Sequence, residues 1–244
     1  MSRYLLWPLQ VLYLGLVLAF PAFSQVSRPL IPFHAVEKKE VQAGLRNIAE
    51  DYTVFRQVAP APFEGTQEQY DFLMDHLHIT AAVIRAFHLG AQVVEPLGPG
   101  RVKGNDGDGL TGDLTLVYRD LRKRVFFGRG RFDGFLFFNL AGRAVIVADQ
   151  VPEGPGRRSL HIALYVKLDN RFLAVTTHLF SPLFGGSLER RITQFLIATA
   201  TASRFIREDP QGVLKKVEAA LRPEEREAYL RLFLPRAAGV EKVQ

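Results

Sequence analysis

The chain has 244 residues, 48% of them hydrophobic and 23% charged, with 31 Lys and Arg against 25 Asp and Glu for a formal net charge of +6. That length can bury one sizeable core, and that balance of apolar and charged residues excludes wholesale disorder. Cysteine is absent, which excludes disulfides, a thiolate nucleophile, Cys-ligated zinc and iron–sulfur centres.

Residues 1–24 read as a secretory signal peptide. Arg3 gives a short positive start, residues 11–20 are an unbroken apolar or small run, and Pro21 breaks the segment before Ala22-Phe23-Ser24. Small residues there suit cleavage ahead of Gln25. The alternative is an uncleaved N-terminal anchor facing the periplasm, although the clean run is short of the roughly 20 residues that span a bilayer. An exported chain without cysteine points to a bacterial periplasm.

Residues 25–50 form a leader and a short helix, with Val36, Val41, Leu45 and Ile48 near helical spacing. Residues 51–58 can form a strand, which Ala59-Pro60-Ala61-Pro62 should end. Thr66 and Gln69 then make a capping box. Leu73, Leu77, Thr80, Ile84 and Phe87 continue at helical spacing to Gly90, so one helix is predicted over 67–89.

The period next shortens to two, with candidate strands at 91–96, 112–118, 122–132, 135–139, 142–150 and 158–168. The last alternates most cleanly. Leu160, Ile162, Leu164, Val166 and Leu168 share one face and His161, Ala163, Tyr165 and Lys167 the other, which predicts a half-buried antiparallel sheet. After Asp169 an apolar segment, 170–184, is interrupted at Pro182. A long helix follows over 187–207, with Leu188, Ile192, Phe195, Ala202 and Ile206 on its stripe. Asp209-Pro210 and Pro223 start two shorter helices in a C-terminal extension, 209–244.

This order predicts an α+β fold: a curved antiparallel sheet of about six or seven strands gripping a long C-terminal helix, with extra C-terminal helices. Over residues 51–208 it resembles the helix-grip superfamily of START-like and polyketide cyclase-like proteins. The resemblance implies a hydrophobic cavity between sheet and helix. Phe127, Phe137, Val147, Ile162 and Leu164 are then the expected ligand-facing residues of the sheet, with Ile192, Phe195 and Leu196 opposite. The expected partner is a hydrophobic small molecule or lipid, with no cofactor.

Several constellations bear on that expectation. Phe126, Phe127, Phe132, Phe135, Phe137 and Phe138 crowd one pair of strands, and adjacent pairs must point to both faces of a sheet. Such a sheet is covered on both sides or lines a cavity on one. The loop from Gly104 to Gly109 offers Asn105, Asp106 and Asp108, partial calcium chemistry, but the same residues suit a hairpin turn, which is the preferred reading. Asp71, Asp75 and His78 fall on one helix face; a solvated helix start explains them better than a metal site. No nucleophile elbow, Ser-x-x-Lys or dinucleotide fingerprint is present.

Basic residues cluster at Arg119, Arg122, Lys123 and Arg124, with Arg129, Arg131, Arg157, Arg158, Arg190 and Arg191 beyond. For an exported protein these suit an anionic membrane surface or an acidic lipid head rather than nucleic acid, and they equally suit a solubilising surface with an excess of one sign. Three functions stand at this point. The first is an exported carrier or sensor of a hydrophobic molecule. The second is an enzyme in the same pocket, with Asp71, Asp75, His76 or His78 as acid–base groups. The third is an envelope scaffold.

Overall fold

A computed structural model describes residues 31–134, 137–169 and 171–234; the side chains of 134–139 and 171–188 lie outside that description. Helix α1 (Lys39–Glu50) leads into strand β1 (Val54–Glu64) and helices α2 (Gln67–Asp75) and α3 (Leu77–Ala86). Six strands follow: β2 (Val93–Gly98), β3 (Arg101–Asn105), β4 (Leu110–Arg119), β5 (Lys123–Gly134), β6 (Phe137–Gly154) and β7 (Arg157–Leu168). The long α4 (Arg171–Glu208) and the shorter α5 (Pro210–Val217) and α6 (Pro223–Phe233) complete the order. All seven strands form one antiparallel sheet, ordered β1-β7-β6-β5-β4-β3-β2.

Four local expectations change. Strand β1 runs straight through Ala59-Pro60-Ala61-Pro62, because it is an edge strand and its register shifts between Val58 and Ala61. Proline is tolerated at just such places, where a ladder donor is not needed. The segments 135–139 and 142–150 belong to one strand, β6. Gly142, the first residue of the second segment, lies inside the ladder, and a Cβ there would stand 2.8 Å from the Lys167 carbonyl oxygen. It is a point of close backbone approach. Strand β3 was not anticipated at all. Finally, the predicted segments 170–184 and 187–207 meet in one helix, Arg171–Glu208, with Pro182 inside it.

The predicted helix 67–89 is two helices. Its capping box is present: Gln69 N–H donates to Thr66 Oγ1 at 3.3 Å, and Thr66 N–H to Gln69 Oε1 at 2.9 Å. The break comes at His76, with φ −116° and ψ 60°. At the break Thr80 Oγ1 donates to the Leu73 oxygen at 2.7 Å, and His76 Nδ1 lies 2.8 Å from the Phe72 oxygen, which also accepts from His76 N–H at 3.0 Å. These bonds stabilise the kink, since an orphaned buried carbonyl costs about 1–3 kcal/mol.

The sheet carries apolar groups on both faces. On the inner face Val58, Phe63, Ala148, Leu160 and Ile162 pack with α2, α3, α5 and the C-terminal half of α4, through Leu196, Ala202 and Ile206. On the outer face Val125, Val145, Val147, Ala163 and Tyr165 are covered by α1 through Leu45 and Ile48, with Phe127 beside them. The strand β7 is therefore buried on both faces rather than half-buried. Gly44 of α1 faces the Phe127 ring, whose nearest atom would be in ordinary contact, 3.5 Å from a Cβ there.

Candidate functional site

The site is best built from the cross-strand rows of the inner face. Leu116, Phe126, Ile146 and Leu164 form one row, and Leu114, Gly128, Ala144 and Val166 the next. Then come Gly104, Gly112, Gly130, Gly142 and Leu168, and finally Leu110, Phe132 and Leu140. The glycine row thus lacks bulk across four strands, and the row beside it across two, at Gly128 and Ala144, where Leu114 leans over Gly128. Backbone crowding explains part of this: a Cβ at Gly112 would lie 2.6 Å from the Arg129 carbonyl oxygen. Only glycine lets the strands approach so closely.

Around that bare floor the apolar side chains are half-buried: Leu110, Leu114, Phe132, Leu140, Val166 and Leu168 below, Ile192 and Phe195 on α4. Farther along α4, Leu196, Ala198, Ala202 and Ile206 are fully buried. Apolar groups that face a covering helix yet remain reachable by solvent border unfilled space, whereas packed ones do not. The helix lies closest to β1 and more lightly on β7. The half-buried groups therefore border a trough beside Arg191, Ile192 and Phe195, on the side of β4, β5 and β6.

The eight expected ligand-facing residues divide by strand phase. Ile162 and Leu164 face inward, and Ile192, Phe195 and Leu196 come from α4 to meet that face. Phe127 and Val147 do not: they face α1 in the outer cluster. A slip of one residue in phase exchanges the faces of a strand, and here the true inward neighbours are Phe126, Ile146 and Ala148. The side chain of Phe137 lies outside the described residues, as do those of Phe135 and Phe138. Missing from the expectation were the glycine rows, which could have been found by aligning Gly112, Gly130 and Gly142 across strands.

A clasp closes the trough on its β3–β4 side. Arg191 of α4 pairs with Asp106 and, through Nη2 at 2.6 Å, with Asp108, both on the hairpin tip. Its guanidinium lies 5.2 Å over the Phe132 ring. The tip is pre-shaped for this: Asp106 Oδ1 accepts from the backbone N–H of Asp108 at 2.8 Å and of Leu110 at 2.9 Å. The loop is a hairpin turn, as its residues suggested, with Gly107 and Gly109 at φ 81° and 96°.

A separate pocket of about 260 Å³ opens beside the α2–α3 kink, next to the β2–β3 hairpin and the start of α6. Met74, Leu77, Leu116 and Phe126 make its apolar wall; Asp75, His76, His78, Arg101 and Arg222 border it. Leu116 and Phe126 belong to the row adjoining the bare floor, so pocket and trough share one face of the sheet.

The kink and its neighbours hold charged groups in place. Arg124, with no exposed side-chain surface, donates from Nε to Asp75 at 2.9 Å and from Nη2 to Asp71 at 2.6 Å. Burial works against its charge, and the two carboxylates outweigh that and raise its pKa. Arg119 adds a bond to Asp75 Oδ2 at 2.7 Å. His78 Nε2 stands 3.2 Å from Glu225 Oε2, so that nitrogen carries a proton. Burial pushes the Glu225 carboxyl up, but the Arg222 side chain and backbone and His78 outweigh it and hold it at about 2.

Asp71, Asp75 and His78 are therefore partners in ion pairs. Among the described residues no group of three or more His, Asp or Glu side chains is placed to hold a metal ion. The four clustered basic residues likewise pair with carboxylates of the protein, Arg119 and Arg124 with Asp71 and Asp75, and Arg122 and Lys123 with Asp149. No helix among the described residues is long and apolar enough to cross a membrane.

The strand order, with α2 and α3 inserted after β1 and α4 laid across the inner face, decides the architecture. It is a helix-grip fold. No family model matches the chain, and no curated protein is detectably similar to it in sequence. Among solved structures, a conserved protein from Geobacillus kaustophilus aligns with TM-score 0.47 and 14% identity, over 63% of this chain and 97% of its own. A hypothetical protein from Helicobacter pylori aligns with TM-score 0.43 and 10% identity, over 66% and 94%. Norcoclaurine synthase from Thalictrum flavum gives TM-score 0.39 and 10% identity, over 59% and 85%. Beyond the grip itself, this chain adds α1 on the outer face and the α5–α6 extension against α2 and α3.

Proposed function

We propose that the protein binds a hydrophobic or lipid-like molecule in the trough between the inner face of the sheet and the stretch of α4 from Arg191 to Phe195, and that it does so after export. The observation that carries the reading is the bare floor, Gly128 and Ala144 with Gly112, Gly130 and Gly142, ringed by half-buried apolar side chains under a helix. Sites of this composition take apolar ligands, because displacing water from apolar walls is favourable by about 25 cal/mol per Å². Export rests on the layout of residues 1–24.

The test is to fill the floor. Ala144→Phe should abolish binding of a neutral apolar probe, N-phenyl-1-naphthylamine, while leaving the thermal midpoint within a few degrees of the parent. A solidly packed interior would respond in the opposite way, with a loss of roughly 1–3 kcal/mol from overpacking, and no probe binding in the parent protein; that outcome sinks the reading. Export is checked separately, by sequencing the N-terminus of protein recovered from periplasmic extracts.

A further inference from the structure

The trough and the pocket beside the α2–α3 kink lie on one face of the sheet, and one side chain of β4 stands between them. We infer that Leu114 sets how long a ligand can be: laid over Gly128, it is a partition that confines an apolar molecule to the trough and keeps its end out of the pocket. This rests on the trough being the binding site.

Side chains on a strand alternate faces, so Leu110, Gly112, Leu114 and Leu116 follow one another along the inner face of β4. Leu116 belongs to the apolar wall of the pocket, with Phe126, Met74 and Leu77. Gly112 belongs to the bare floor, paired with Gly104 and Gly130. Leu114 is the one residue of β4 on that face between the two. Its register partners are Val102 on β3, which also borders the pocket, and Gly128 on β5.

The lie of the Leu114 side chain follows from what Gly128 lacks. A Cβ at residue 128 would come within 2.6 Å of Leu114 Cδ2 and 3.0 Å of the Asp113 carbonyl oxygen. The leucine therefore rests across the glycine, over the place on β5 where this row has no side chain of its own. Leu114 is nevertheless only half-buried, like Leu110 and Phe132 around the floor, whereas Phe126 on the pocket side is 7% exposed. A leucine packed into a core is enclosed on all sides; this one borders open space.

The gap it closes would lead from one apolar space to another. From Gly112 to Leu116 along β4 is about 13 Å at ~3.3 Å per residue. Asp75 and Glu225, across the pocket, are held in ion pairs, so the pocket meets the partition with its apolar wall. A chain end that reaches Leu114 must stop there or push the side chain off Gly128. Each methylene strengthens binding only while it finds apolar surface to cover, so affinity should climb with chain length and level off where Leu114 is met.

The experiment titrates the full-length protein, with N-phenyl-1-naphthylamine bound, with 1-alkanols of increasing length from octanol upward, each below its solubility limit. In the parent, displacement should strengthen about fourfold per methylene and then level off. Leu114→Ala should move the levelling point to longer chains, by about two methylenes or more, and leave the shortest alkanols unchanged. Leu114→Phe should move it to shorter chains. Leu114→Val, too short to cover Gly128, repeats the first comparison if the alanine variant folds poorly. A levelling point that stays put in the alanine and valine variants, a uniform loss of affinity at every length, or a parent whose affinity climbs through the whole series overturns the partition. A parent protein that binds neither probe nor alkanol instead overturns the trough itself.

Discussion

The inner face of the sheet has two halves that treat apolar side chains differently. Beneath the C-terminal half of α4, Val58, Phe63, Leu160 and Ile162 meet Leu196, Ala202 and Ile206 with almost no surface left exposed. Beside Arg191, Ile192 and Phe195, residues of the same kinds stop half-buried over rows of glycine. The extension α5–α6 and the pair α2–α3 add a second covering layer to the first half. The lesson is one of division of labour: the closed half supplies the fold's stability, and the open half is left free to take a ligand.

Substitutions can break that comparison at its strongest point first. Arg124→Gln removes the buried guanidinium that joins β5 to α2 and leaves Asp71 and Asp75 facing each other with only Arg119 between them. A loss of about 3–5 kcal/mol is expected in urea unfolding. Leu196→Ala, in the closed half, should cost about 2–5 kcal/mol without weakening probe affinity in the trough by more than a fewfold. Phe132→Ala, in the open half, should do the reverse, with a stability loss smaller than that of Leu196→Ala and a larger loss of probe affinity. If both variants behave alike, the two halves are not functionally distinct.

The pH dependence sharpens the same contrast. The Glu225 carboxyl has a folded pKa of about 2, below its ordinary 4.5. Its stabilising effect is therefore full above about pH 4.5 and is lost as pH falls toward 2. The urea midpoint, followed by circular dichroism, should drop across that window, and Glu225→Gln should flatten the drop. Probe binding in the open half does not involve Glu225, and its affinity above pH 5 should be unchanged by that variant. The smallest effect on stability is expected for Arg191→Gln, because partly exposed ion pairs contribute only about 0–1 kcal/mol. Its signature is kinetic: stopped-flow dissociation of the probe should quicken severalfold, and added salt should speed dissociation in the parent but not in the variant.

Much of this molecule was legible in its residues, for identifiable reasons. The alternation of Leu160, Ile162, Leu164, Val166 and Leu168 named one face of β7, and the structure puts that face inward. The Thr66–Gln69 box located the start of α2, and the two prolines at 210 and 223 located the starts of α5 and α6. These signals are local, so they survive whatever the rest of the chain does. The misplacement of Phe127 and Val147 has the complementary cause. Both faces of β5 and β6 are apolar, so alternation could not say which side meets α4 and which meets α1. The kink at His76 was equally invisible, since Leu73, Leu77, Thr80 and Ile84 are buried whether the helix is straight or broken.

What the sequence determined by itself is the α+β order of elements, the antiparallel sheet before a long helix, and a supply of aromatic and aliphatic groups large enough to cover both faces. Period and capping encode those things within a few residues of chain. Tertiary structure alone decided where the space lies. Gly112, Gly130 and Gly142 are separated by up to thirty residues, and each alone signals only a bend or a close approach. Strand pairing sets them side by side, and the sum of three missing side chains is a floor on which a ligand can lie.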